Sequence, residues 1–339
     1  MDCKTVFRYP GGKTKLAKSI VAEVVSQSPH TFVDVFAGGG SVFVEVMNQF
    51  PQAKIIINDL DEYIYAFWEA LIEKRGQDII CMLYEKGKPN VAMFIELREI
   101  LQRPMDIVTK AFVALFFNRT TFSGIFRSGP IGGYEQKGNY KIDVRYNIQT
   151  LERRITELEE SLLACRATCK NEDFRRIIRE YGDDKHAMLY LDPPYMRQGK
   201  QLYAHMMFPE DYQEMADLLQ QCCCKWIISH DNYMPFVEMF SEWAHITDTE
   251  KIPYTINSYR DNRKKEILVA NFPFEVNKRR PGRPKFTDNI YSLVCCLCGC
   301  EIKTNPAYFR KYCNKNQINV NDARNTYKCR KCKKIILSP

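Results

Sequence analysis

Phe32-Val33-Asp34-Val35-Phe36-Ala37-Gly38-Gly39-Gly40-Ser41 begins as a short apolar run and ends in three glycines. Such a run suits a buried strand, and the glycines turn it where a ligand can approach the backbone closely. A helix-like stretch follows, with Ser41 placed to cap it and Glu45 inside. Lys54–Asn58 is a second apolar run, ending at Asp59. Strand, glycine turn, helix, strand is how a doubly wound parallel sheet opens. Asp59 lies 21 residues beyond Gly38, where a carboxylate can take ribose hydroxyls. The spacing fits an adenosine-type cofactor without choosing between S-adenosylmethionine and a nicotinamide dinucleotide.

Working outward, residues 62–115 read as mostly helical, with Trp68, Leu71 and Ile72, then Phe94, Leu97 and Leu101, at helical spacing. A further helix is expected over 148–169. Strand patterns resume at Ala187–Leu191 and at 226–229, with a helix between them opened by Pro209-Glu210-Asp211. Residues 252–273 read as closing strands with a hairpin turn at 258–263. The expected fold is α/β, a Rossmann-like core split by a helical insert. The divisions are 1–61 and 181–273 for the core and 62–180 for the insert, with a basic linker at 274–290 and a small cysteine-rich end at 291–339.

The most specific motif is Asp192-Pro193-Pro194-Tyr195, directly after the strand pattern. An exocyclic amino group is a poor nucleophile because its lone pair is delocalised into the ring. A carboxylate and a carbonyl that accept its two hydrogens favour a pyramidal nitrogen with a localised lone pair. Asp192 and the Pro193 carbonyl suit those roles, and the two prolines stiffen the turn. Tyr195 offers an aromatic face to a base taken out of the duplex. Near the start, Phe7-Arg8-Tyr9-Pro10-Gly11-Gly12-Lys13 puts an aromatic, a glycine pair and a lysine where they can close over a cofactor.

Together these three motifs resemble the Dam-like (D12 class) adenine-N6 DNA methyltransferases, over roughly residues 5–272. The likeness extends to Asn118-Arg119-Thr120-Thr121-Phe122-Ser123-Gly124-Ile125-Phe126-Arg127, to Phe208-Pro209-Glu210-Asp211 and to Ile227-Ile228-Ser229-His230-Asp231-Asn232. It implies a seven-stranded S-adenosylmethionine-dependent core with a helical DNA-recognition insert. It also implies methyl transfer to a flipped-out adenine in a short duplex sequence. Carried over, Tyr9, Gly11 and Lys13 contact the cofactor, Phe36, Gly38 and Gly40 lie beneath it, and Asp59 binds the ribose. Asp192 reaches both cofactor and adenine, and Pro193, Pro194 and Tyr195 hold the base. Arg119, Phe122, Ser123 and Arg127 meet DNA, Phe122 as a wedge and Arg127 as a guanine reader. Ser123 stands where the family often has Asn, so the recognition sequence stays open.

The net charge of +8 is unevenly spread. From Lys278 onward there are 15 basic and 3 acidic side chains, against 34 and 38 before it. A basic tail on a near-neutral body points to a polyanion. Lys278-Arg279-Arg280-Pro281-Gly282-Arg283-Pro284-Lys285 resembles an AT-hook, whose Arg280 and Arg283 would enter a narrow minor groove. Cys295-x-x-Cys298 and Cys329-x-x-Cys332 place two thiolate pairs on short turns, the spacing of a structural zinc ribbon. The choice of ligands within Cys295–Cys300 remains open. A piece this poor in apolar residues needs a metal to fold.

Fourteen cysteines without an N-terminal apolar run suggest a reducing, cytoplasmic setting. Cys222-Cys223-Cys224 reads as a buried helix end, Cys165 and Cys169, one helical turn apart, as packing or surface residues and not metal ligands, and His230 as part of a strand exit. Two other classes fit less well: a DNA-binding protein without turnover, and a methyltransferase acting on cytosine N4, RNA adenine or a protein amide. A cognate restriction endonuclease is a possible partner.

Overall fold

The apolar runs become strands because their alternating faces are covered on both sides. The computed structural model describes residues 3–8, 14–196, 207–249 and 266–274, and the backbone of 291–294 and 301–304. The chain divides into Met1–Val276 and Asn277–Pro339.

In the first unit, α1 (Thr14–Gln27), β1 (Thr31–Asp34), α2 (Ser41–Gln49) and β2 (Lys54–Asn58) form the opening expected from the glycine-rich stretch. Helices α3 (Glu62–Ile72), α4 (Gly76–Lys86), α5 (Val91–Ile100), α6 (Ile107–Thr120) and α7 (Ile148–Ala164) make the insert. Then come β3 (Thr168–Lys170), α8 (Phe174–Tyr181), β4 (Ala187–Leu191), α9 (Pro209–Gln221) and β5 (Lys225–Asp231). A short α10 (Met234–Glu238), β6 (His245–Asp248) and β7 (Glu266–Ala270) close the unit.

The seven strands run in the order β3-β2-β1-β4-β5-β7-β6. Strands β3, β2, β1, β4 and β5 pair in parallel, and β7 runs antiparallel to both β5 and β6. One face packs on α1, α2 and the insert through Phe32, Ile55, Ile57, Phe67 and Trp68. The other packs on α8 and α9 through Val33, Leu189, Tyr212, Met215 and Trp226. Within the insert α6 is buried on all sides from Ala111 to Thr120, so it acts as a core helix.

Several expectations change. Gly40, in a left-handed conformation, precedes α2 without a side-chain cap, and Ser41 is the first helical residue. The helix expected over 148–169 stops at Ala164, Arg166 takes a φ of 51°, and the chain enters β3 beside β2. Cys165 is therefore a buried cap residue and Cys169 a strand residue, not neighbours one helical turn apart. The core resumes at Thr168, earlier than expected, because a three-residue edge strand is too short to show a period. The closing strands begin at His245, while the turn expected at 258–263 lies outside the described residues. Of the three adjacent cysteines, Cys224 is buried, Cys222 half-buried and Cys223 exposed.

In the second unit, β8 (Tyr291–Val294) and β9 (Glu301–Thr304) pair antiparallel. Among the described residues no helix is long and apolar enough to cross a membrane.

Candidate active site

Strand order reverses at β1: the chain passes from β1 outward to β2 and β3, and returns to place β4 on β1's other side. The loops leaving β1 and β4 diverge there, which opens a crevice at the carboxyl ends of the strands. The glycine turn follows β1 and Asp192–Tyr195 follows β4, so both motifs meet at this crevice.

The glycine turn is held from three sides. The Gly38 amide donates to Asp59 Oδ2 at 2.7 Å, Trp68 Nε1 donates to the Gly38 carbonyl at 3.1 Å, and the Thr5 hydroxyl donates to the Gly39 carbonyl. Gly40 has a φ of 75°, and a Cβ there would lie 2.7 Å from both Phe43 and Trp68. Phe36 is half-buried beside Phe174, their ring centroids 5.8 Å apart. Asn58 staples the strand ends: its amide donates to the carbonyls of Val35 and Glu172 and accepts from the Glu172 amide.

Three carboxylates converge at this edge. Burial, and then Asp61, push Asp59 up to about 7 despite the amides of Asp61 and Gly38. Burial, then the charges of Asp192 and Asp59, hold the Asp34 carboxyl well above its usual range. Asp34 is 1% exposed and its Oδ1 has no hydrogen-bond partner among the described residues. Asp192 is half-buried, and Ser229 on β5 donates to its Oδ1 at 3.0 Å. An acid-lined crevice with an orphaned buried carboxylate oxygen suits a cofactor that carries ribose hydroxyls and a positive charge, as S-adenosylmethionine does.

After Asp192, the Tyr212 hydroxyl donates to the Pro194 carbonyl. Tyr195 differs from expectation. It is only 7% exposed, its hydroxyl donates to Glu266 Oε1 at 2.7 Å, and its ring centroid lies 5.1 Å from that of His230. That anchoring and packing leave little of the expected aromatic face open. His230 is a buried β5 residue stacked 3.8 Å from Phe236, consistent with a structural part.

On the insert side, residues 121–130 form a narrow loop closed by Phe122 N donating to Gly129 O and Ile131 N donating to Thr120 O. Phe122 is 69% exposed and Arg127 is exposed. Ser123 takes a left-handed φ of 56°, a conformation in which Asn is at ease. Gly124, with a φ of 77°, approaches Arg8 so closely that a Cβ would sit 2.2 Å from its carbonyl oxygen. Asn118 clamps the same Arg8, accepting from its amide at 2.7 Å and donating to its carbonyl at 2.8 Å. Arg98 from α5 donates to the carbonyls of Phe126 and Ser128, one on either side of Arg127, while its guanidinium covers the Phe117 ring at 4.1 Å.

Arg119 is a correction. It is buried at 7% exposure and donates to the Val6 carbonyl, so it ties down the N-terminal segment and does not present itself to DNA. Burial, then Arg154, Arg8 and Arg145, lower its pKa to about 10. No described carboxylate pairs with any of these four arginines.

Tyr9, Gly11, Lys13, Arg280, Arg283, Cys295, Cys298, Cys329 and Cys332 lie outside the described residues. No cluster of three or more metal-ligating side chains occurs among the described residues. Asn58, Arg98, Asn118, Ser229 and Glu266 carry no individual role in the sequence patterns. Asn118 and Ser229 stand inside quoted motifs, but Glu266 is brought to Tyr195 only by the pairing of β7 with β5 and has no local signal.

The sheet order and the two motifs at its crevice define a nucleoside-cofactor methyltransferase of the doubly wound class. Residues 9–255 match the model of the D12 class N6 adenine-specific DNA methyltransferases, and the chain belongs to that family. It is 26% identical over 195 residues to the Type II methyltransferase M.CviBI of Paramecium bursaria Chlorella virus NC1A, spanning 57% of this chain and 69% of that one. It is 24% identical over 301 residues to the Type II methyltransferase M.MjaIII of Methanocaldococcus jannaschii, spanning 80% of this chain and all of that one. A precorrin-6y C5,15-methyltransferase structure from Geobacter metallireducens GS-15 aligns over 76% of this chain and 88% of that one at 9% identity, with a TM-score of 0.32. A likeness that loose says nothing of this chain's chemistry. The protein is a site-specific DNA adenine-N6 methyltransferase that uses S-adenosylmethionine.

Proposed function

We propose that Asp192 and the Pro193 carbonyl accept the two N6 hydrogens of an adenine drawn out of duplex DNA, which localises the nitrogen lone pair. The observation that carries this is the set of Asp192, Asp59 and Asp34 around one crevice at the strand reversal. S-adenosylmethionine supplies an electrophilic methyl on a cationic sulfonium. Asp59 takes its ribose hydroxyls, Phe36, Gly38 and Gly40 form the floor, and Tyr9, Gly11 and Lys13 cover it. Tyr195, anchored through Glu266, frames the wall against which the adenine rests.

Phe122 fills the space that the adenine leaves, and Arg127 reads a neighbouring guanine, its backbone steadied by Arg98. Ser123 shapes that loop, and the cationic group of Arg8, Arg145 and Arg154 beside it favours a polyanion.

The tail reading extends to an AT-hook-like grip by Arg280 and Arg283 and a structural zinc held by Cys295, Cys298, Cys329 and Cys332. In its support, Cys295 and Cys298 fall in the connection between paired β8 and β9, where a ribbon carries its first thiolate pair. A cognate restriction endonuclease recognising the same sequence is the proposed partner.

The test is Asp192→Ala with S-adenosylmethionine binding and methyl transfer measured side by side. The variant still binds the cofactor, more weakly by the contact Asp192 itself makes to it, and transfers no methyl to DNA even at saturating cofactor. Undiminished transfer would contradict the assignment.

A further inference from the structure

Tyr190 and Asp192 are two residues apart at the end of β4, so they share one side of the sheet. In the β4–β5 register Tyr190 stands opposite Ile227 and Leu191 opposite Ile228, and one more step brings Asp192 opposite Ser229. The side chains close that step: Ser229 Oγ lies 3.0 Å from Asp192 Oδ1, and Tyr190 Oη lies 2.7 Å from Ser229 Oγ. Ser229 and Tyr190 are buried, at 0% and 2% exposure. A serine hydroxyl has one hydrogen. When Ser229 gives it to the carboxylate, the Tyr190 hydroxyl must donate to Ser229.

We propose that Ser229, polarised by Tyr190, is the positioning residue for Asp192: it fixes the carboxylate's rotation and favours its ionised form, so that Asp192 meets the adenine amino group as an aligned acceptor. The inference rests on the reading of Asp192 as that acceptor.

The surroundings make such a device necessary. Asp34 on β1, Asp59 after β2 and Glu266 on β7 bring further acidic groups to the same end of the sheet. Asp34 and Asp192 repel one another when both are charged, and the hydrogen bond donated to Asp192 works against that repulsion. Tyr190 can serve as the terminal donor because burial, then Asp192, raise its pKa well above the ordinary tyrosine value. It therefore keeps its proton at any working pH. Two aligned O–H dipoles in a buried setting strengthen each other, and a hydrogen bond to a charged acceptor is among the stronger kinds.

The test compares Ser229→Ala, Ser229→Thr, Tyr190→Phe and Asp192→Ala in the full chain, with kcat, KM for duplex DNA, S-adenosylmethionine affinity and the pH profile as readouts. Ser229→Ala should lower kcat by about 10- to 100-fold, the worth of a hydrogen bond to a charged group. KM and cofactor affinity should stay within about twofold, and the acid limb of the profile should move to higher pH. Ser229→Thr, which keeps the hydroxyl, should recover most of the rate, and Tyr190→Phe should show a smaller loss in the same direction. An unchanged kcat and acid limb in Ser229→Ala, with Asp192→Ala inactive, overturns this inference alone. A rate loss that follows cofactor affinity or melting temperature, without movement of the acid limb, overturns it as well. Full activity in Asp192→Ala overturns the reading on which it stands.

Discussion

Asp59, as the proposed ribose ligand, would couple cofactor binding to pH. Its folded pKa of about 7 lies above the ordinary aspartate value of about 3.9, because of burial and then Asp61. Between those values the folded chain keeps a proton that the unfolded chain has lost. The group's contribution to stability therefore falls as pH rises from about 4 through 7. Asp34, raised for similar reasons, acts in the same direction. Melting temperatures of the ligand-free protein at pH 5 and pH 8 should drop more for wild type than for Asp59→Asn. Ribose hydroxyls donate to an ionised carboxylate, so cofactor affinity should rise with pH up to about 7 and then level off. Titration calorimetry in buffers of different ionisation enthalpy should show proton release below that point, and its absence would count against Asp59 as the ribose ligand. Phe122 makes the opposite kind of prediction. At 69% exposure it supports little of the fold, so Phe122→Ala should leave melting temperature and cofactor affinity nearly unchanged while lowering kcat/KM on duplex DNA. Arg127→Ala should relax discrimination at one base position by about 1–3 kcal/mol in a methylation assay on single-substituted duplexes.

At the scale of elements, the proposed recognition loop at residues 121–130 owes its shape to residues outside its exposed tip. Arg98 ties the carbonyls of Phe126 and Ser128 to α5 and packs on Phe117, and Asn118 and Gly124 lock the loop's base to Arg8. Removing Arg98 leaves two carbonyls without their donor, and Arg98→Ala should destabilise the protein by about 2–3 kcal/mol in denaturant unfolding. Its DNA affinity should fall further than its cofactor affinity. These supports also mark how far the sequence can be read. Strands β2 and β4 are legible to the residue, since Lys54–Asn58 and Ala187–Leu191 are apolar runs with clear ends. The glycine turn and Asp192–Tyr195 are legible because their chemistry demands unusual residues at close spacing. β3 is not, being three residues long and reached straight from α7. Arg119 looks like a DNA-facing residue because arginine is normally exposed, and only the tertiary fold reveals the Val6 carbonyl that draws it inside. Tyr195 looks open for the same reason: Glu266 reaches it from a strand 71 residues away.

On the scale of the whole molecule, charge divides the labour. The whole excess of basic over acidic residues lies in the tail from Lys278, whereas the rest of the chain is slightly acidic and concentrates acid in its crevice. A chain cut after Val276 should still bind S-adenosylmethionine, since the described crevice draws on residues before that point. Its DNA affinity should fall, and its dependence on salt should become shallower by about one unit of slope for each phosphate that the tail no longer neutralises. Treatment of the intact protein with a zinc chelator, which tests the proposed tail site, should weaken DNA binding more than cofactor binding, and an equal loss of both would speak against a separate tail module.

The most direct measurement is transfer of labelled methyl from S-adenosylmethionine to duplex DNA, followed by nucleoside analysis and sequencing of the modified positions. The label should appear as N6-methyladenine within one short sequence context. Label in N4-methylcytosine, in RNA or in protein, or no label in DNA despite measurable cofactor binding, would contradict the assignment of the acceptor.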